Sequence, residues 1–458
     1  MKMRHFKQIC AGLIMLLASP LWSQVGNTPA QPDNNDSRML TPPPVSGQTY
    51  PTAFASEERS NYLRGGVTFT NAYTDNAVGA VNGHPVSDVS YSVAPMIALD
   101  ETTSRLHLLL TYAPGFTFYQ RTSSRNEADQ NASIDFQYRL SPHVTFSARD
   151  GFQKSSNVFN QPYLTSVGAV SGGTQVANFS VIAPIADLIR NSGDVSLTYQ
   201  FSPNSMIGAS GTFTTLRYPN PAQVPGLYDA SSQSGSAFYS HRISKMHYLG
   251  ANYQYQRLVS YPTVGLNETQ THAVVLFYTL YANSRLSVSF FGGPQHSDTV
   301  QPPLLLATLF GPLLLQLPAA RAWTPTAGAS LSWQGRLNTA AVSYSHVISG
   351  GGGLFGAVHM DSASASVRQQ ITRTLSGSVA GAYVQNNAVG AFSPGAYNGH
   401  SISGTASVQQ QFGEHVNLQL GYTRLHQSYS NVAVISLTPN TNREFISLSY
   451  QFSRPLGR

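Results

Sequence analysis

The residues with most to offer chemically are arginines. Arg139, Arg242 and Arg368 each lie a few residues from a turn-forming pair, and Arg105 sits close to another. A guanidinium grips a carboxylate or phosphate through two parallel hydrogen bonds, so a ring of them favours anions. The competing reading is that each pairs with local acids and water. Arg149 stands further from a turn, with Asp135 as an ion-pair partner on the neighbouring segment. Around these charges polar residues recur at alternate positions: Ser133, Asp135, Gln137 and Arg139; Thr145, Ser147 and Arg149; Asn252, Gln254 and Gln256; Ser364, Ser366 and Arg368; Ser403, Thr405, Ser407 and Gln409. Such groups solvate a passing solute. Catalytic signatures are missing: there is no Gly-x-Ser-x-Gly, no His-Glu-x-x-His and no phosphate loop. His107, His247, His346 and His415 fall on separate segments and suit wall or interface positions better than a metal site or triad. No cofactor is implied, and the chain reads as a non-enzyme.

The elements that must position these groups are strands. In 132–152, Ala132, Ile134, Phe136, Tyr138 and Leu140 alternate with the polar set. Ser141 and Pro142 make a turn, and the alternation resumes with Val144, Phe146 and Ala148. Side chains alternate faces along a strand, so this is a hairpin with one apolar and one wet face. The unit recurs to the end of the chain, giving about eighteen strands (16–20). Short turns follow the even-numbered strands and mostly long connections follow the odd ones. The long connections are read at 155–193, 219–234, 293–323, 350–358, 386–398 and 427–442. Short turns on one side and long loops on the other are expected of a membrane barrel, which must close because lipid tolerates no unpaired strand edge. The expected fold is all-β, a single closed antiparallel transmembrane barrel over 61–452, wide enough to enclose an aqueous channel.

Composition agrees. Of 458 residues only 10% are charged and 41% are hydrophobic, with 38 Gly, 24 Tyr and 22 Phe; soluble proteins average roughly 25% charged. Residues 1–23 read as a cleaved signal: Lys2, Arg4 and Lys7 precede a short apolar run. The single cysteine, Cys10, lies inside it, so no disulfide or thiolate site is expected afterwards. Residues 24–60, rich in Pro, Asn, Gln and Ser, read as a flexible periplasmic leader, and 453–458 as a periplasmic tail. A near-neutral balance after signal removal argues against nucleic acid as a partner.

The closing run Phe445-Ile-Ser-Leu-Ser-Tyr-Gln-Phe452 resembles the last strand of Gram-negative outer-membrane barrels, although Ser453 to Arg458 follow its aromatic. With Tyr112-Ala-Pro-Gly-Phe-Thr-Phe118 and the Arg-Leu-Ser-Pro turn, the chain is similar to β-barrel porins, some of which accompany exopolysaccharide export. The resemblance implies the outer membrane, contact with lipid and lipopolysaccharide, and recognition of Tyr450 and Phe452 by the assembly machinery. Three functions are expected, in falling order. The first is a porin-like channel for passive diffusion of small polar solutes. The second is an outer-membrane component of polysaccharide secretion with a periplasmic export partner. The third is a barrel-embedded hydrolase. The channel would be lined by Asp135, Gln137, Arg139, Arg149, Arg242, Gln254, Arg368 and Gln409. Two long loops are candidate constrictions or plugs, one carrying Ile182 and Ile185, the other Leu305, Phe310 and Leu314.

Overall fold

A computed structural model describes the chain from Ser60 to Pro455, apart from 78–84, 158–184, 224, 263–264, 284, 302–303, 309–310, 316–317, 390–397, 431 and 433–439. The expected signal, the leader before Ser60 and the last three residues lie outside the described residues.

Eighteen strands form one antiparallel sheet closed on itself. They are β1 (Ser60–Thr74), β2 (Asp88–Thr102), β3 (Leu106–Tyr112 and Gly115–Tyr119), β4 (Glu127–Arg139), β5 (Val144–Asn157) and β6 (Ile185–Ser202). Next come β7 (Ser205–Arg217), β8 (Asp229–Arg242), β9 (His247–Tyr261), β10 (Asn267–Asn283), β11 (Leu286–Val300) and β12 (Ala320–Gln334). The ring is completed by β13 (Asn338–Ser349), β14 (Val358–Gln370), β15 (Leu375–Ala388), β16 (Gly399–Phe412), β17 (Val416–Tyr429) and β18 (Asn440–Pro455). Strand β3 is interrupted at Ala113–Pro114, but both pieces pair with β2 and β4. Proline has no N–H for the ladder, so the break falls where the sequence requires it.

Closure is made by β1 against β18, in register from Tyr62 opposite Pro455 to Thr74 opposite Arg443. The expected strand number and closure therefore stand. Several strands run further than the alternation suggested. The 155–193 connection is really 158–184, and the 293–323 connection is 301–319. Within the latter, Leu304–Thr308 and Gly311–Leu315 pair as a separate small hairpin. The outermost turns of these strands lose the strict apolar–polar pattern once they leave the apolar slab, which is why sequence alternation stops short of them.

Sidedness is inverted relative to a soluble protein. Val67, Phe69, Leu110, Phe213, Val274, Leu420 and Tyr450 are exposed on the outer face. Gln200, Ser240, Asn252, Thr269 and Asn386 are buried inside. The inner hydroxyls satisfy one another across directly opposed positions. Ser147 pairs with Ser196, Ser210 with Ser236, Thr269 with Thr299, Ser343 with Ser364 and Thr405 with Thr423, at 2.6–3.2 Å. Another recurrent device places an aromatic ring over an opposed glycine: Phe452 over Gly65, Phe213 over Gly193, Phe277 over Gly250, Phe291 over Gly328 and Phe445 over Gly421. A Cβ at any of these glycines would overlap the ring, so the ring takes the space that a bare backbone leaves open. Closed, apolar outside and polar within, the chain has the architecture of a transmembrane β-barrel.

The pair at the closing seam gives a direct test. Gly65→Val should displace Phe452 and weaken the refolded barrel by about 1–3 kcal/mol. Added to Phe452→Ala, the same change should cost little more, because both act on one contact. Urea unfolding of the two single variants and the double variant in lipid vesicles measures this, and strict additivity would show that the ring and glycine are not coupled.

Candidate functional site

On each strand the positions between the exposed apolar residues face the lumen. By this rule Asp135, Gln137 and Arg139 on β4, Arg149 on β5, Arg242 on β8, Gln254 on β9, Arg368 on β14 and Gln409 on β16 all lie on the inner face. Arg149 makes an ion pair with Asp135 at 2.9 Å and stands directly opposite Asp194 of β6 on its other side. Arg242 lies against the Tyr248 ring at 5.9 Å, and its Nε donates to the Ser244 carbonyl at 3.2 Å, near a short turn. Arg105 is different: it sits exposed in the β2–β3 turn rather than on the wall.

Charge is distributed unevenly around the lumen. The inner faces of β1 to β8 and β18 carry Arg64 paired with Asp100 at 2.5 Å, the Asp135–Arg149–Asp194 row, and Asp129, Arg190 and Arg443. The inner faces of β9 to β17 carry Ser, Thr, Asn and Gln together with apolar and aromatic residues such as Tyr248, Phe277, Met360 and Tyr429, with Arg368 the one charged residue among the described positions. One sector can orient an ionic group, and the facing sector offers hydroxyl and amide contacts.

At the long-loop end the connection 350–358 is more than a link between two strands. Residues 350–357, between β13 and β14, are largely buried. They reach strands that are not their neighbours in the ring. Tyr218, just past β7, donates its hydroxyl to the Gly352 carbonyl at 3.1 Å. The Tyr228 N–H donates to the Gly353 carbonyl at 2.7 Å, and the Gly356 N–H donates to Ser260 Oγ of β9 at 3.1 Å. Phe355 meets the Tyr228 ring edge-on at 5.8 Å. Strands β10 to β12 separate β9 from β13, so the segment is a strap drawn along a chord of the mouth. Leu354, fully buried, anchors it in a cluster with Tyr218, Leu227, Val358, Met360, Val384 and Tyr429. Burial, reinforced by the Asp229 carboxylate, pushes the Tyr218 phenol above its ordinary range, so it remains a hydrogen-bond donor.

The strap depends on glycine. Gly353 has φ +100°, and a Cβ there would come within 2.7 Å of the Tyr218 ring. Gly356 has φ +88°, and its Cβ would meet Asn267 Nδ2 at 2.7 Å. The run of glycines from Gly350 to Gly353 followed by Leu354 and Phe355 was the available sequence signal: a left-handed path ending in apolar anchors.

The two loops expected to constrict the pore are only partly placed. Ile182 and Phe310 lie outside the described residues. Ile185 opens β6 and so belongs to the wall strand, while Leu305 and Leu314 stand opposite one another in the small hairpin. The histidines are used locally: His107 Nδ1 lies 2.9 Å from Thr102 Oγ1 and His247 Nδ1 2.6 Å from the Tyr278 hydroxyl. Ser205 Oγ lies 2.9 Å from His241 Nδ1, at the short-turn end, and among the described residues no carboxylate reaches that ring. No group of three metal-ligating residues occurs among the described residues.

Two outcomes are expected. Tyr218→Phe should loosen the strap by about 1 kcal/mol, the net value of one hydrogen bond, read as faster amide exchange at Gly352–Leu354. Arg149→Gln leaves Asp135 and Asp194 uncompensated, so the cation-to-anion permeability ratio should rise roughly twofold or more in a salt-gradient reversal-potential measurement.

No family model and no curated protein matches the sequence. Solved structures that resemble it include OccK2 (OpdF) of Pseudomonas aeruginosa, at 10% identity and TM-score 0.41, covering 86% of this chain and 98% of that one. The outer membrane protein OpdK of the same organism has 10% identity and TM-score 0.39, with 86% and 99% covered. The ferric-catecholate import receptor Fiu from E. coli K12 has 9% identity and TM-score 0.43, with 86% and 82% covered. At these scores the likenesses assign neither a family nor a substrate.

Proposed function

We propose that this chain is an outer-membrane channel passing small polar solutes by passive diffusion, narrowed at its long-loop mouth by the 350–357 strap. The observation that carries the reading is the inside-out wall: a closed barrel whose inner face is hydroxyl, amide and paired charge. An eighteen-stranded barrel encloses space beyond what its own side chains fill. Paired hydroxyls make the wall wettable without binding solute tightly, as conduction requires. Short turns would face the periplasm and the strap the outside. The expected leader (24–60) and the assembly signal at Tyr450 and Phe452 belong to this reading.

A second reading, the outer-membrane step of polysaccharide secretion, draws on one observation: the neutral β9–β17 inner face suits sugar hydroxyls. It needs a periplasmic partner. The apolar hairpin Leu304–Thr308/Gly311–Leu315 is a further candidate occluder.

Single-channel conductance of the refolded chain in planar bilayers tests the proposal. The intact protein should conduct, and both Gly353→Val and deletion of 351–356 should raise conductance by about twofold or more, since flow follows the narrowest section. Deletion of the 304–315 hairpin is the comparison that separates the two occluders. Equal conductance with and without the strap would remove it as the constriction. A chain that inserts yet never conducts, even after both deletions, would rule out passive diffusion.

A further inference from the structure

Six histidines lie in one band on the outer face, close to the long-loop ends of their strands: His272 on β10, His296 on β11, His346 on β13, His359 on β14, His400 on β16 and His426 on β17. All share the parity of the lipid-facing residues, such as Leu276, Phe290, Val342, Ile402 and Leu420 lower on the same strands. The corresponding rim of β1 to β5 carries Tyr73, Tyr91, Phe116, Phe118 and Phe152 instead. The barrel therefore has, at one rim, a sector with aromatics alone and a sector where imidazoles are interleaved with aromatics.

The charges within the imidazole sector are nearly balanced. Arg257 pairs with Glu268 through two hydrogen bonds of 2.8 Å, and Arg321 pairs with Asp298 at 3.0 Å. His346 contacts Asp361 at 2.8 Å, and Asp361 also accepts from the Tyr344 hydroxyl. Arg424 is exposed beside His426 on β17, and Glu444 of the adjoining β18 is exposed on the same outer face, opposite Tyr422. His359 also lies within electrostatic reach of Asp361, whereas the nearest ring and hydrogen-bond partners of the other imidazoles are uncharged or imidazole. His272 Nδ1 meets the Tyr253 hydroxyl at 2.8 Å, His296 packs on Trp323, His359 stacks on His346, His400 lies by Tyr383 and His426, and His426 Nδ1 meets Asn440 Oδ1 at 3.0 Å. Protonation of imidazoles in this band adds positive charge to a nearly balanced surface.

We propose that this sector binds the phosphate of anionic lipid headgroups in the outer leaflet, more strongly as the pH falls. The apolar band directly below places the histidines at headgroup depth, and Arg with protonated imidazole is the natural partner for phosphate oxygens. The inference rests on the membrane-spanning orientation but not on conduction.

Trp323, exposed and 5.0 Å from His296, is a reporter inside the sector. Trp333, at the far end of β12, is a control. A Trp22→Phe/Trp333→Phe chain in phosphatidylcholine bilayers would be titrated with brominated phosphatidic acid or brominated phosphatidylcholine. Phosphatidic acid should quench Trp323 about twofold more strongly near pH 5.5, with a smaller excess near pH 8. The excess should vanish in His272→Gln/His296→Gln/Arg321→Gln. Equal quenching by the two lipids, or an excess that survives the triple change, would overturn the proposal. So would shielding of Trp323 from both lipids, the outcome expected if a second copy covers this face. In the Trp22→Phe/Trp323→Phe control both lipids should quench Trp333 equally. No quenching there would mean that the chain is not inserted, and the membrane reading would fail together with the inference.

Discussion

A strand in hydrocarbon has nowhere to send an unpaired N–H or C=O except to another strand. That constraint governs this molecule. Pairing of β1 with β18 removes the last edge. With every strand paired on both sides, the only freedom left is which face each side chain takes. The closed ring turns a period-two sequence into an apolar exterior and a polar interior, and the functional surfaces follow from that partition.

Neither surface is uniform. Inside, ionic groups gather on β1 to β8 and β18, and hydroxyl and amide groups on β9 to β17. Outside, the long-loop rim carries aromatic residues on β1 to β5 and histidines, with further aromatics, on strands from β10 to β17. The strap joins the two halves of the lumen, because residues 350–357 hold Ser260 of β9 on the neutral side and reach Tyr218 and Tyr228, which flank β7 and β8 on the charged side.

Much of the wall was legible from sequence. Alternation around 132–152 defines β4 and β5, their turn and their inner residues, and pairing of Asp135 with Arg149 needs nothing more than that register. The ends of β5, β6 and β11 were less legible, since alternation decays where a strand rises beyond the apolar slab. Ile185 therefore looked like loop although it begins β6. The strap escaped notice because glycine runs read as spacers, and nothing local reveals that Leu354 will find Tyr218 across the mouth. The histidine band was within reach. His272, His296 and His426 sit at lipid-facing parity near strand ends, but weighing histidines singly as ligands or catalysts hides their common face.

The glycine–aromatic pairs bear on how such a barrel assembles. A slip of one residue between strands turns apolar side chains inward and is rejected by solvation. A slip of two keeps every face correct, so sidedness cannot detect it. It would, however, move Phe213 off Gly193 and Phe277 off Gly250, set rings against side chains, and separate hydroxyl partners such as Ser210 and Ser236. Spaced around the ring and present at the closing seam as Phe452 over Gly65, these pairs act as a keyed code, by which each strand identifies the correct alignment of the next before the cylinder shuts.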